Sequence, residues 1–111
     1  MSHLRETTDD RFDADVLESE RPVLVEFTAA WCPPCRVMAP ILTELDADRE
    51  DLDVVALDVD ANPATAARFG VLSMPTFLLF RHGRPVAQLI GARPRRKLEA
   101  ELDEALGLAP A

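Results

Sequence analysis

The sequence predicts one α/β domain, a central mixed β-sheet flanked by helices on both faces. Helical and strand patterns alternate over most of the chain, which favours parallel strands joined by crossover helices. Two strand patterns then follow each other across a short turn, adding an antiparallel hairpin. The 111 residues are 48% hydrophobic, with no internal repeat, low-complexity linker or shift in composition. That is enough chain for one core without cross-links or metals.

Residues 1–8 are polar and read as a flexible N-terminus or a short edge strand around residues 3–6. In "DDRFDADVLES", Phe12, Val16 and Leu17 recur at helical spacing behind an acidic start that suits a helix N-terminus. "RPVLVEFTA" is β-branched and aromatic, bounded by Pro22 and the cysteine motif, and predicts a buried strand. From 32 to about 49, Val37, Met38, Ile41, Leu42 and Leu45 fall on one helical face, and Pro40 is expected to kink that helix. "LDVVALDVD" is the next strand. In "NPATAARFG", Asn62 is expected to cap a helix, Pro63 to occupy its first position and Gly70 to end it. "PTFLLF" and "PVAQLI" flank "RHGR", where Gly83 permits a tight hairpin turn. The last helix, about 94–106, is expected to bury Leu98, Leu102, Ala105 and Leu106. The domain then spans 9–107, with 108–111 as a tail.

The net charge of -8 argues against nucleic acid and anionic membranes as partners, since both are bound through cationic surface. No apolar run approaches the roughly 20 residues of a membrane span, and "MSHLRETTDD" lacks the apolar centre of a signal peptide. A cytoplasmic location is therefore expected, where disulfides are usually transient or catalytic. "ELDADREDLD" reads as a solvated helix end, and "RPRRK", whose cations oppose the dipole of the helix they open, as a solvated face.

Both cysteines lie in "WCPPC", residues 31–35. As a staple they would close a very small loop, with little entropic effect. As a metal site they lack ligands, because His3 and His82 stand at no finger-like spacing and His82 reads as a solvated turn residue. A reactive pair remains. Residues three apart in a first helical turn are neighbours, so the bond can close or open with little backbone movement. Cys32, at the helix end, gains thiolate stabilisation from unpaired amides and the macrodipole, whereas Cys35 is expected to be more buried and less acidic. Cys32 is thus assigned as the attacking thiol and Cys35 as the resolving one. Pro33 and Pro34 withdraw two amide donors from Cys32 and stiffen the turn. Glu26, between Val25 and Phe27 on a buried strand, is costly to ionise, so its pKa is expected to rise.

Through "VLVEFTAAWCPPCRVMAPIL", "DVDANP", "FGVLSMPTFLLF" and "IGA", in order and spacing, the chain resembles the thioredoxin family over about residues 9–106. The resemblance implies the thioredoxin fold and dithiol-disulfide exchange, with Cys32 as nucleophile and Cys35 as resolving thiol. It implies a monomer that reduces disulfides in other proteins. Recharging would come from a thioredoxin reductase, ultimately an NADPH-dependent flavoprotein, with no cofactor bound to this chain. It implies further that Pro75 is the cis-proline facing the disulfide, and that Trp31, Pro33, Pro34, Met74, Gly91 and Ala92 form the rim for an extended substrate. Glu26 stands where the family usually has a buried aspartate that relays protons for the resolving cysteine. Thr28 replaces a usual tryptophan, Ala56 a common lysine, and Pro33 a usual glycine. The Pro-Pro dipeptide occurs in specialised relatives, including tryparedoxin-like and nucleoredoxin-like proteins. Two other functions stay open at this point: a dedicated electron donor to one partner, such as a peroxidase or methionine sulfoxide reductase, and a non-enzymatic redox-sensing binding module.

Overall fold

The computed structural model describes residues 4–108. Its strands are β1 (Arg5–Glu6), β2 (Val23–Thr28), β3 (Asp53–Asp58), β4 (Thr76–Arg81) and β5 (Arg84–Ile90), in the spatial order β1-β3-β2-β4-β5. β1 and β2 lie parallel to β3, while β4 runs antiparallel to both β2 and β5. The two-residue edge strand continues into a buried Thr7, whose N–H donates to the Ala56 carbonyl at 2.9 Å. His3, which the sequence placed in that strand and weighed as a metal ligand, lies outside the described residues.

The period-two alternation of β2 divides the core. Leu24 faces α1 (Pro33–Asp48) and α3 (Arg95–Ala105), where Met38, Leu42, Leu45, Leu98 and Leu102 pack on the sheet. Val23, Val25 and Phe27 face the other side, covered by α2 (Pro63–Arg68) and a π-helical turn over Asp13–Leu17. Glu26 shares the parity of Leu24. It is therefore carried on the α1 face, at the end of β2 that leads into the cysteine loop. No helix among the described residues is long and apolar enough to cross a membrane.

Several local expectations need correction. Val37 is exposed, because α1 rests on the sheet through the narrower stripe of Met38, Leu42 and Leu45. Pro40 lies within α1, on its solvent side. Asn62 makes no side-chain cap of α2. Its Oδ1 instead accepts the Asp9 N–H at 2.9 Å, and the Asp9 carboxylate caps the helix, accepting the N–H groups of Ala64 at 3.1 Å and Thr65 at 2.9 Å. Gly70 ends α2 as expected: at φ 67° it donates to Ala67, while Val71 donates to Ala66, a Schellman arrangement. His82 is exposed in the hairpin turn. The two charged runs are paired rather than merely solvated. Arg49 bridges Asp51 and Asp103, Arg95 reaches Asp48, and beyond Pro94 the remaining cations of the basic run, Arg96 and Lys97, are exposed.

Candidate active site

Cys32 is the N-cap of α1, with extended backbone angles (φ -99°, ψ 101°). Pro33 and Pro34 follow at positions where a helix leaves its amides unpaired, so their missing N–H groups break no intrahelical bond. The amide of Cys35 is the next one available. It donates to Cys32 Sγ at 3.3 Å. The Cys32 carbonyl accepts the Arg36 N–H at 3.3 Å, its own N–H donates to Ala29, and the Arg36 guanidinium donates to the Ala30 carbonyl at 3.1 Å. The loop is thus held from both sides.

Cys32 and Cys35 form a disulfide with Cα atoms 5.3 Å apart. They are 2% and 3% exposed, so the deeper burial expected for Cys35 is absent. The bonded pair sits in one apolar collar, Ala29 with the partly buried Val59 and Met74. What distinguishes the two residues is their place on the helix. Cys32 is the cap that receives an amide, and Cys35 lies within the first turn.

The residues assigned to the rim occupy two sides. Trp31 is 60% exposed, and its Nε1–H donates to Asp60 Oδ2 at 2.8 Å. On the other side the Met74-Pro75 peptide bond is cis, Pro75 is buried, and its carbonyl accepts the Gly91 N–H at 2.9 Å. Pro33, Pro34 and Ala92 are exposed. Asp60 and Leu72, the latter 93% exposed two residues before Met74, were not singled out from the sequence. "DVDANP" offered Asp60 as one acid among several; nothing marked Leu72, which reads as core until the fold exposes it.

Glu26 is 3% exposed, and its Oε2 has no hydrogen-bond partner among the described residues. Burial pushes its pKa up from 4.5 to about 7. It lines a cleft of about 260 Å³ together with Cys35, Arg36, Glu6, Thr28 and Ala56. The small side chains of Thr28 and Ala56 leave this space open beside the carboxyl group. Among the described residues no group of three or more His, Cys, Asp or Glu side chains is placed to hold a metal ion.

A disulfide held across a helix cap and the first turn can take up and release an electron pair while its scaffold stays in place, which is the working principle of the thiol-disulfide oxidoreductases. The thioredoxin family model matches residues 3–104. Thioredoxin of Mycolicibacterium smegmatis is 51% identical over 102 residues, covering 89% of this chain and 91% of the relative. Thioredoxin of Alicyclobacillus acidocaldarius subsp. acidocaldarius is 49% identical over 100 residues, covering 89% and 94%. A bifunctional thioredoxin reductase/thioredoxin of Mycobacterium leprae is 47% identical over 100 residues, 89% of this chain and 22% of that protein. The chain belongs to the thioredoxin family. It is a disulfide reductase with a redox-active cysteine pair, and the fold and reaction type expected from the resemblance hold.

Proposed function

We propose that the chain reduces disulfides in other proteins, with Cys32 attacking and Cys35 resolving. The observation that supports this order best is the Cys32 Sγ at the cap of α1, receiving the Cys35 N–H. In the reduced protein the Cys32 thiolate, stabilised by the helix end, attacks one sulfur of the substrate disulfide. A Cys32–substrate bond forms, and the other substrate sulfur leaves as a thiolate that takes up a proton. Cys35 then loses its proton to the Glu26 carboxylate and attacks Cys32 Sγ. The intramolecular disulfide forms and the second substrate sulfur leaves as a thiolate that takes the proton back from the Glu26 carboxyl group. Two electrons and two protons have passed to the substrate, one proton from Cys35 by way of Glu26 and one from solvent. Glu26, with a pKa of about 7 and sharing the cleft with Cys35, suits this base role at neutral pH.

An extended substrate lies against the Met74-Pro75 backbone, between Trp31, Pro33 and Pro34 on one side and Gly91 and Ala92 on the other. The dithiol is restored by a thioredoxin reductase, with electrons from NADPH through that separate flavoprotein, and this chain binds no cofactor. The name of the Mycobacterium leprae relative, which joins the two functions in one protein, supports such a partner. The protein acts as a cytoplasmic monomer apart from nucleic acid and membranes, in keeping with its net charge of -8.

Trapping tests the assignment. Cys32→Ser abolishes reduction of a protein disulfide, and Cys35→Ser accumulates a mixed disulfide detected by mass spectrometry of the intact adduct. Trapping by Cys32→Ser instead would reverse the two roles.

A further inference from the structure

Arg93 follows the Gly91-Ala92 rim, and its side chain is only 10% exposed. All three guanidinium nitrogens are used. Nη1 donates to both oxygens of Glu101 on α3, at 2.7 and 2.6 Å; Nη2 donates to the Ile90 carbonyl at 2.7 Å, and Nε to the Gly91 carbonyl at 3.2 Å. The planar fork of arginine can span a carboxylate and two carbonyls at once, whereas a lysine presents one nitrogen.

The two carbonyls belong to the last residue of β5 and the first beyond it, at the edge of the sheet. Gly91 adopts φ 96°, and a Cβ there would meet nothing within 4 Å, so the position calls for glycine's backbone freedom rather than its small size. The same residue donates its N–H to Pro75. A continuous connection therefore runs from Glu101 through Arg93 and Gly91 to Pro75. It ends at Met74, which packs against the disulfide.

We propose that Arg93 is a positioning residue. Anchored on α3 by Glu101, it fixes the Ile90-Gly91 backbone, and through it the groove wall beside the cis-proline, and so sets how tightly protein disulfides bind. This rests on the reading that extended substrates lie along that rim. The guanidinium contacts of Arg93 go to Glu101, Ile90 and Gly91 and not to the cysteines. A wall already held in its bound shape lowers the ordering cost of association, so the effect falls on KM and leaves the chemistry alone.

The test uses the full chain with insulin as the protein disulfide and dithiothreitol as reductant, and, in single turnover with the pre-reduced chain freed of dithiothreitol, 5,5′-dithiobis(2-nitrobenzoic acid) as a small disulfide that needs no groove. Arg93→Lys, which keeps the charge and loses the fork, is expected to raise the insulin KM about ten-fold. Its kcat, its rate with the small disulfide and the Cys32-Cys35 reduction potential are expected to stay at wild-type values. Glu101→Gln, which keeps the shape and one acceptor, is expected to raise the insulin KM about three-fold and carries the test should Arg93→Lys lose its fold by circular dichroism. An unchanged insulin KM in the folded variant, a parallel loss on both disulfides, or a shifted potential would overturn the assignment. Inability of the wild-type chain to reduce insulin would instead overturn the reading of protein-disulfide reduction on which it rests, so the two failures are distinct.

Discussion

Glu26 couples stability to pH through one buried carboxyl group. Its pKa is about 7 in the folded chain against an ordinary 4.5, so the folded state binds this proton more tightly than the unfolded state does. Its contribution to stability is therefore complete below about pH 4.5 and is lost as pH rises through 7. The difference between the two values corresponds to about 3 kcal/mol. Glu26→Gln keeps the shape and carries no charge at any pH. It is expected to flatten the stability profile between pH 4.5 and 7 and to exceed the wild type by up to about 3 kcal/mol at pH 8, as read from urea unfolding across a pH series. Single-turnover kinetics of the same variant should show slower resolution by Cys35 with an unchanged first attack. Rates equal to wild type in both steps would leave Glu26 as a packing residue only.

At the scale of the element, α2 depends on what stands at its two ends. A six-residue helix is too short to persist on its own hydrogen bonds, and here one end is held by Asp9 and the other by Gly70. Thr65 Oγ1 also donates to Asp9 at 2.6 Å, and together with the first-turn amides this holds the Asp9 pKa below the ordinary carboxylate range. Asp9→Ala should lower the urea midpoint and Asp9→Asn should lower it less. The difference from wild type should narrow as pH falls through the Asp9 pKa, because the protonated carboxyl is a poorer acceptor. Gly70→Ala meets no atom within 4 Å but must adopt φ 67°, at a cost of about 1 kcal/mol in the same assay. Pro63 and Gly70 could be read from "NPATAARFG" because both signals are local. The Asp9 cap could not, since it reaches across more than fifty residues of chain. The same division runs through the site. Cys32, Cys35 and Pro75 belong to short motifs whose spacing carries their meaning. Asp60, Leu72 and Arg93 are single residues whose surroundings appear only once distant segments meet. Val37 was misread for a related reason: an apolar residue beside the buried stripe looks like core until the width of the contact is known.

Across the whole molecule, the charge balance is organised where the C-terminal end of α1 meets α3. Arg49, 15% exposed, stands between Asp51 at 2.7 Å and Asp103 at 2.9 Å, with Glu99 at 3.5 Å; Asp51 foremost, and Asp103, hold its guanidinium pKa above the ordinary value. Arg95 ties Asp48 to Glu99 alongside. Arg49→Met leaves three carboxylates facing one another and is expected to cost about 1–2 kcal/mol at low ionic strength. Repeating the unfolding in 1 M salt should shrink the loss, since the Debye length falls to about 3 Å; a loss independent of salt would mean that packing of the side chain outweighs its charge. The sheet itself has another consequence. Among the described residues β1 offers two at one margin, and at the other β5 opens with Arg84 and Pro85 and slips register opposite Leu79 and Phe80. Neither margin presents the long, flat ladder that recruits further strands into fibrils. Trp31 and Leu72 can stand exposed without seeding polymerisation through the backbone.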